Sequence, residues 1–114
     1  FEVGIAINYP GSSIENDFGW APMHPVVEAY KSYQQMPYDR PTWDLTSVLY
    51  SVEGPSYFNV SPAGKINVTD QGATEFTPDA AGNRYYLTVD SIQAENIKQH
   101  FVQLLTKQPA HFNK

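Results

Sequence analysis

The first nine residues place apolar side chains at every second position. Four of them share one side of this pattern: Phe1, Val3, Ile5 and Ile7. A period of two predicts a β-strand, and the small residues on its second face indicate a sheet that is covered on both sides. Turn-forming residues at positions 10–13 then end the segment, so we expect the chain to open with a strand.

Residues 14–23 mix acidic and aromatic side chains around Gly19 and predict an irregular loop. Such a loop could line a pocket, or it could be a surface loop held in place by Phe18 and Trp20. We favour the surface loop because connecting segments commonly run over the surface of a protein.

Two helices are predicted next. Pro25 suits the first turn of a helix that reaches about residue 35 and stops before Pro37. The second helix covers residues 44–53 and ends at Gly54-Pro55. Helical spacing gives this second helix an expected buried face, formed by Leu45, Val48, Leu49 and Val52.

The remainder of the chain predicts strands followed by a helix. Alternation and β propensity place strands near residues 57–60, 65–69, 73–76 and 84–89, with turns between them, which indicates an antiparallel meander. Asp90 and Gln93 match a capping box for a closing helix. Its expected apolar stripe is Ile92, Ile97, Phe101, Leu104 and Leu105. The predicted fold class is therefore α+β, with residues 1–114 as a single unit.

Composition excludes several classes of function. The net charge is −5 and the seven Lys and Arg residues are scattered, which argues against a nucleic-acid partner. No apolar run approaches the length of a membrane span, and the absence of cysteine excludes thiolate metal sites. The chain starts at Phe1 without a signal peptide. Removal of a signal peptide from an exported protein, or origin as a piece of a longer chain, would each explain this start.

The candidate chemistry lies in residues 37–50, where the chain approaches the second helix. Pro41 favours an extended conformation at Arg40, so either Thr42 or Asp44 could cap the helix that follows. A carboxylate fixed at a helix N-terminus is also a suitable ligand for calcium. From the residues alone the helix cap is the commoner role. The histidines His24, His100 and His111 share no metal-ligand spacing, so we expect none of them to bind metal.

Residues 39–50, DRPTWDLTSVLY, resemble the C-terminal active-site segment of the inosine-uridine-preferring nucleoside hydrolases. The similarity is to the bacterial branch that has a Trp-Asp pair where other members have His-Asp. Residues 1–7 resemble a late core strand of that family, residues 24–30 the helix before the active-site segment, and residues 54–58 and 64–76 a hairpin near the end. Only the Trp43-Asp44 segment is specific to the family.

This resemblance implies a calcium-dependent enzyme that hydrolyses the N-glycosidic bond of ribonucleosides. Asp44 matches the last calcium-ligating aspartate, and Trp43 takes the place of the histidine that protonates the leaving base. Indole cannot release a proton near neutral pH, so the departing base needs another acid, or its departure is assisted by stacking on an aromatic face. Trp43 is therefore the predicted substrate-binding residue.

The aspartate cluster near the family's N-terminus has no counterpart in this chain, and one aspartate cannot satisfy calcium. The sequence therefore predicts a C-terminal portion of a nucleoside hydrolase-like α/β fold, inactive alone, whose partner is the missing N-terminal part. The alternative is a non-catalytic binding or interaction module in which Asp44 is only a cap. In either case an unpaired first strand would favour a homodimer.

Overall fold

The computed structural model describes residues 2–110, and the side chains from residue 3 onwards. Within that part, the helices are α1 (Glu2–Ala6), α2 (Gly11–Asn16), α3 (Pro25–Tyr33), α4 (Trp43–Glu53), a 3₁₀ helix (Pro55–Tyr57) and α5 (Ser91–Leu105). The strands are β1 (Asn8–Tyr9), β2 (Arg40–Pro41), β3 (Asn59–Val60), β4 (Gly64–Val68), β5 (Thr74–Pro78) and β6 (Leu87–Thr88). The fold is thus mixed α and β with small antiparallel sheets, as predicted at that level.

The predicted opening strand is wrong, because residues 2–6 form α1. Val3 and Ile7 are four residues apart, a spacing that fits one face of a helix as well as one side of a strand. Val3 is half-buried and Ile7 is 1% exposed, whereas Ile5 is 49% exposed. The strand edge on which the predicted homodimer depended is therefore absent from residues 2–7, and a homodimer itself stays a prediction.

The predicted turn and loop at residues 10–23 are also partly wrong. Pro10 is the N-cap of α2, which runs from Gly11 to Asn16 before the chain becomes irregular. Ile14 of α2 and Phe18, which follows this helix, are buried in the core. Turn-forming residues predict the end of an element, whereas residues 10–13 begin a short helix in the structure.

Helices α3, α4 and α5 occur where the sequence predicts them. The buried faces of α4 and α5 are narrower than the apolar faces predicted from the sequence. Helix α4 buries Leu49 and half-buries Leu45, while Val48 is 56% and Val52 76% exposed. In α5 the capping box of Asp90 and Gln93 is formed. Its core contacts come from Ile97 and Phe101, and the other members of the predicted stripe are exposed: Ile92, Leu104 and Leu105.

The strands do not form a sequential meander. β4 pairs with β5 as a hairpin, and this hairpin lies within a wider loop whose ends, β3 and β6, pair with each other. Gly64 joins the two pairs, because it lies opposite Pro78 in the hairpin and also bridges to Arg84. We call residues 59–88 the β-ribbon.

The core is small for the length of the chain. It is formed by Ile7, Tyr9, Ile14, Phe18, Leu49, Phe58, Ile97 and Phe101. The radius of gyration is 17.4 Å, compared with about 13 Å for a compact domain near this size. The molecule is therefore elongated, with extents of 54 × 31 × 26 Å. Among residues 2–110, no helix is long and apolar enough to cross a membrane.

Candidate functional site

Thr42 fixes the start of α4 in an unusual way. It occupies the N-cap position, but its side chain forms no capping hydrogen bond to α4. Its Oγ1 instead donates to the carbonyl oxygen of Ile7 at 2.9 Å. Its amide lies 2.9 Å from the carbonyl oxygen of Gly4 and 3.0 Å from that of Ile7. The predicted side-chain cap is therefore not formed, because this hydroxyl binds the end of α1.

Gly4 brings α1 into direct contact with the first turn of α4. A Cβ at this position would overlap the backbone nitrogen and Cα of Trp43. Only glycine lets the two backbones approach so closely. The backbone at Trp43 is thus packed against one helix while it begins another, and the indole is half-buried.

The residues before Thr42 also contact the N-terminal part of the chain, at β1 and α2. Arg40 and Pro41 form β2, which pairs antiparallel with β1. Asp39 Oδ1 accepts a hydrogen bond from the amide of Gly11 at 2.9 Å, in the first turn of α2. Asp39 therefore acts as the cap that Pro10 cannot provide. Along residues 39–42, the chain therefore contacts first α2, then β1 and finally the end of α1.

Asp44 lies in the first turn of α4 with its side chain exposed. Among residues 2–110 its carboxylate has no hydrogen-bond or ion-pair partner, in contrast to Asp39. The carboxylate is therefore accessible to a ligand and is not occupied as a helix cap.

The described residues do not by themselves fit a calcium ion. Calcium takes about six to eight oxygen ligands, and the site offers one carboxylate. Within residues 2–110 no group of three or more His, Asp or Glu side chains is arranged to hold a metal. Any calcium bound at Asp44 needs most of its oxygen ligands from outside this part of the chain.

An apolar cleft of about 440 Å³ lies beside the site, between α2, α3, the start of α4 and the end of α5. Tyr9, Phe18, Tyr30 and Leu45 line it, whereas neither Trp43 nor Asp44 does. Burial raises the pKa of Tyr9 and of Tyr30, so both phenols are neutral at pH 7. This apolar cleft is therefore not lined by either predicted site residue, Trp43 or Asp44.

A second cluster was not predicted from the sequence. Glu53 at the end of α4, Tyr57 in the 3₁₀ helix and His100 in α5 come together, with His100 Nε2 lying 3.0 Å from both carboxylate oxygens of Glu53. The Tyr57 hydroxyl donates to Glu53 Oε2 at 3.0 Å, and its ring stacks on the imidazole with centroids 5.0 Å apart. The hydrogen bonds from His100 and then Tyr57 lower the pKa of Glu53.

Glu53 and Tyr57 are four residues apart, so a contact between them could be predicted from their spacing in the sequence. The contact with His100 spans 47 residues and left no local signal. Of the other histidines, His24 caps α3 by accepting from the Val26 amide at 3.3 Å, and His111 lies outside the described residues. The described histidines therefore have structural partners.

Comparison with known proteins adds no identification. The chain matches no protein-family model, no curated protein and no solved structure. The interpretation of the site therefore depends on its residues, its geometry and the resemblance of residues 39–50.

Proposed function

We propose that this chain is the C-terminal portion of a calcium-dependent hydrolase that cleaves the N-glycosidic bond of ribonucleosides. Asp44 is one calcium ligand in the complete enzyme, and Trp43 is a wall of the nucleoside pocket. The observation that supports this proposal is the Asp44 carboxylate, which is exposed and has no protein partner among residues 2–110. Helix capping, the competing role for Asp44, is not what the carboxylate does, because Thr42 occupies the N-cap position.

Exposed apolar side chains also support the proposal that this chain belongs to a larger parent protein. Large apolar side chains such as Val52, Met23 and Ile92 are more than 70% exposed. Removing such surface from water is worth about 25 cal/mol per Å², so it is favourable to cover it with further protein. In the proposed enzyme that protein is the N-terminal part, which supplies the remaining calcium ligands.

The chain's own residues contribute binding and orientation. In the complete enzyme Asp44 would contribute one ligand to a calcium ion, which would supply binding of the ribose diol and orientation of a water molecule. Trp43 offers an apolar ring for stacking and no transferable proton. Since Trp43 cannot protonate the leaving base, the acid for that step has to come from outside residues 39–50.

The test is the substitution Asp44→Asn in the full-length product of the gene that encodes these residues. We expect a loss of at least about 100-fold in kcat/KM for inosine or uridine, together with weaker calcium binding, because even residues behind metal ligands cost 10- to 100-fold when removed. Asp70→Asn is the matched control, since Asp70 is an exposed aspartate in the turn between β4 and β5. Equal activity of the two variants would contradict the proposal.

A non-catalytic interaction module is the second candidate, and the exposed apolar residues favour it. The two functions differ in what Asp44→Asn does. In an interaction module the substitution changes neither calcium binding nor any reaction, and the free energy of unfolding changes by about 1 kcal/mol or less. Release of free base from nucleosides by the purified 114 residues at enzyme-like rates would contradict the proposal that this chain is an inactive portion of a larger enzyme.

A further inference from the structure

The apolar cleft between α2, α3, the start of α4 and the end of α5 has the size of a small-molecule site. Its volume is about 440 Å³, and ligand pockets in proteins typically enclose about 300–1,000 Å³. Its walls include the buried side chains of Ile14 and Phe18 and the half-buried side chain of Leu45. Apolar walls of this kind favour a ligand that buries apolar surface of its own.

The composition of the cleft walls also limits the charge of a ligand. Among residues 2–110, no Asp, Glu, Lys or Arg side chain lines the cleft. Moving an ionised group out of water without an opposite charge beside it is costly. The walls therefore favour an uncharged ligand over a carboxylate or an amine.

Two hydroxyls of the cleft walls are already hydrogen-bonded within the chain. The Tyr9 hydroxyl forms a buried pair with that of Ser13 at 3.0 Å. The Thr42 hydroxyl donates to the carbonyl oxygen of Ile7 at 2.9 Å. Because these groups have internal partners, Tyr9 and Thr42 require no hydrogen bond from a ligand.

Two other groups of the cleft walls are donors that remain available. The Tyr30 hydroxyl has no hydrogen-bond partner among residues 2–110, and burial raises its pKa, so it keeps its proton at pH 7. His24 accepts from the Val26 amide through Nδ1, so a neutral ring carries its proton on Nε2. Within the same part of the chain this N–H has no acceptor. A ligand that covers these donors has to supply an acceptor, because a buried donor without a partner is destabilising.

We propose that this cleft binds a small, uncharged and mainly apolar molecule that carries a carbonyl-type acceptor, and that Tyr30 donates a hydrogen bond to that acceptor. The apolar face of a partner helix offers no such acceptor, because its backbone carbonyl oxygens are bonded within the helix. The inference goes beyond the proposed function and does not depend on it, since neither Trp43 nor Asp44 lines the cleft.

Equilibrium dialysis of the full-length product of the gene that encodes these residues tests the ligand chemistry. The probes are naphthyl methyl ketone, ethylnaphthalene and naphthoate, substituted at the same ring position. We expect the ketone to bind at one saturable site. Ethylnaphthalene should bind about 3- to 10-fold more weakly, because it lacks the acceptor of one hydrogen bond. Naphthoate should bind at least about 10-fold more weakly than the ketone, because its charge has to leave water.

Two pairs of variants place the ketone in the cleft. Val26→Trp fills the cleft from α3 and should weaken ketone binding at least about 10-fold, since the indole occupies apolar surface that the ligand buries. Val48→Trp is the matched control, because Val48 is also an exposed helical valine and does not line the cleft. Tyr30→Phe keeps the ring and should weaken ketone binding about 3- to 10-fold, without changing the binding of ethylnaphthalene. Tyr33→Phe, on the same helix and outside the cleft, should change neither.

Each contrary result overturns a stated part of the inference. Absence of saturable ketone binding would contradict the ligand site. If Val26→Trp also changed the sedimentation coefficient in that case, the cleft would be covered by protein instead. Equal weakening by Val26→Trp and Val48→Trp would mean that the ketone binds elsewhere. If Tyr30→Phe weakened the ketone and ethylnaphthalene alike, or neither of them, the donor role of Tyr30 would be wrong.

Discussion

The helical part of the molecule and the β-ribbon are held together by different interactions. In the helical part, Ile7, which follows α1, meets side chains of α4 and α5 in one core, where Ile7 is 1% and Ile97 0% exposed. In the hairpin of the β-ribbon, Gly64 alone is buried among the residues of β4 and β5. The helical part therefore buries more apolar side chains than the hairpin, which combines backbone pairing with the Lys65–Asp79 ion pair and the contact between the Phe76 and Tyr86 rings.

Gly64 shows how the β-ribbon is held. Its amide donates to the carbonyl oxygen of Arg84 at 2.9 Å, and its carbonyl oxygen accepts from the Arg84 amide at 3.0 Å. The same residue lies opposite Pro78 in the hairpin, and Gly82 packs against its carbonyl so closely that a Cβ there would overlap it. Backbone crossings of this kind need small residues and leave little apolar area to bury.

The largest expected effect tests the core of the helical part. Ile97→Ala removes a fully buried side chain and leaves a cavity, so the free energy of unfolding should fall by about 2–5 kcal/mol. Ile92→Ala, on the same helix and 71% exposed, should change it by no more than about 0.5 kcal/mol. Urea denaturation of both variants makes the measurement. Similar losses in the free energy of unfolding for the two variants would contradict the prediction that the buried Ile97 contributes more to stability than the exposed Ile92.

The second prediction concerns the contact between α1 and α4. Gly4→Ala places a methyl group against the backbone of Trp43, and we expect a loss of about 1–3 kcal/mol in the free energy of unfolding, as for other overpacked sites. Gly19→Ala is the control, because nothing lies near the position of its Cβ. A stabilised Gly4→Ala variant would show that helix propensity outweighs the close packing.

These two regions also differ in how far the sequence predicted them. Helices α3, α4 and α5 were predicted because their signals are local: Pro25 at a first turn, Gly54-Pro55 as a stop, and the capping box at Asp90. Helix α1 was missed because Val3 and Ile7 satisfy a period of two and a helical spacing alike. Its packing partner, the start of α4, lies far along the chain.

The pairing of the β-ribbon could not be read from residue alternation. Alternation of apolar residues predicts β4. Its pairing depends on Gly64, which lies opposite Pro78 and also bridges to Arg84. A β-propensity scale treats glycine as a weak strand residue. At the candidate site, Pro41 and the apolar spacing after it predicted where α4 begins. The contacts of Thr42 with Ile7 and of Asp39 with Gly11 span 35 and 28 residues, so no local pattern could show them.

The third prediction tests whether the β-ribbon opens separately from the core. Gly82→Ala would overlap the carbonyl of Gly64, so we expect faster hydrogen exchange at the amides of Gly64 and Arg84, each of which donates to the carbonyl oxygen of the other. The free energy of global unfolding should fall by about 1 kcal/mol or less, because local opening leaves the buried core intact. Amides of α5 serve as the internal control. Equal acceleration in α5 would show that the two regions unfold as one unit.

The smallest expected effect is the pH dependence of the contact between α4 and α5. The pKa of Glu53 is below its ordinary value of 4.5 in the folded protein, owing to hydrogen bonds from His100 and then Tyr57. Its contribution to stability is therefore complete above that ordinary value and is lost as the pH falls through the lowered pKa. Denaturation of the wild-type chain and Glu53→Gln between pH 6 and 3 should give a stability difference that shrinks with acid.

Glu95 provides the matched control, because Lys98 and then Gln99 lower its pKa within α5 alone. His100→Gln should reduce the pH dependence that Glu53 contributes and leave that of Glu95 unchanged. Added salt should weaken both, since the groups are exposed and screened by ions. If His100→Gln left the effect of Glu53→Gln unaltered at every pH, the contact between Glu53 of α4 and His100 of α5 would contribute nothing to this pH dependence.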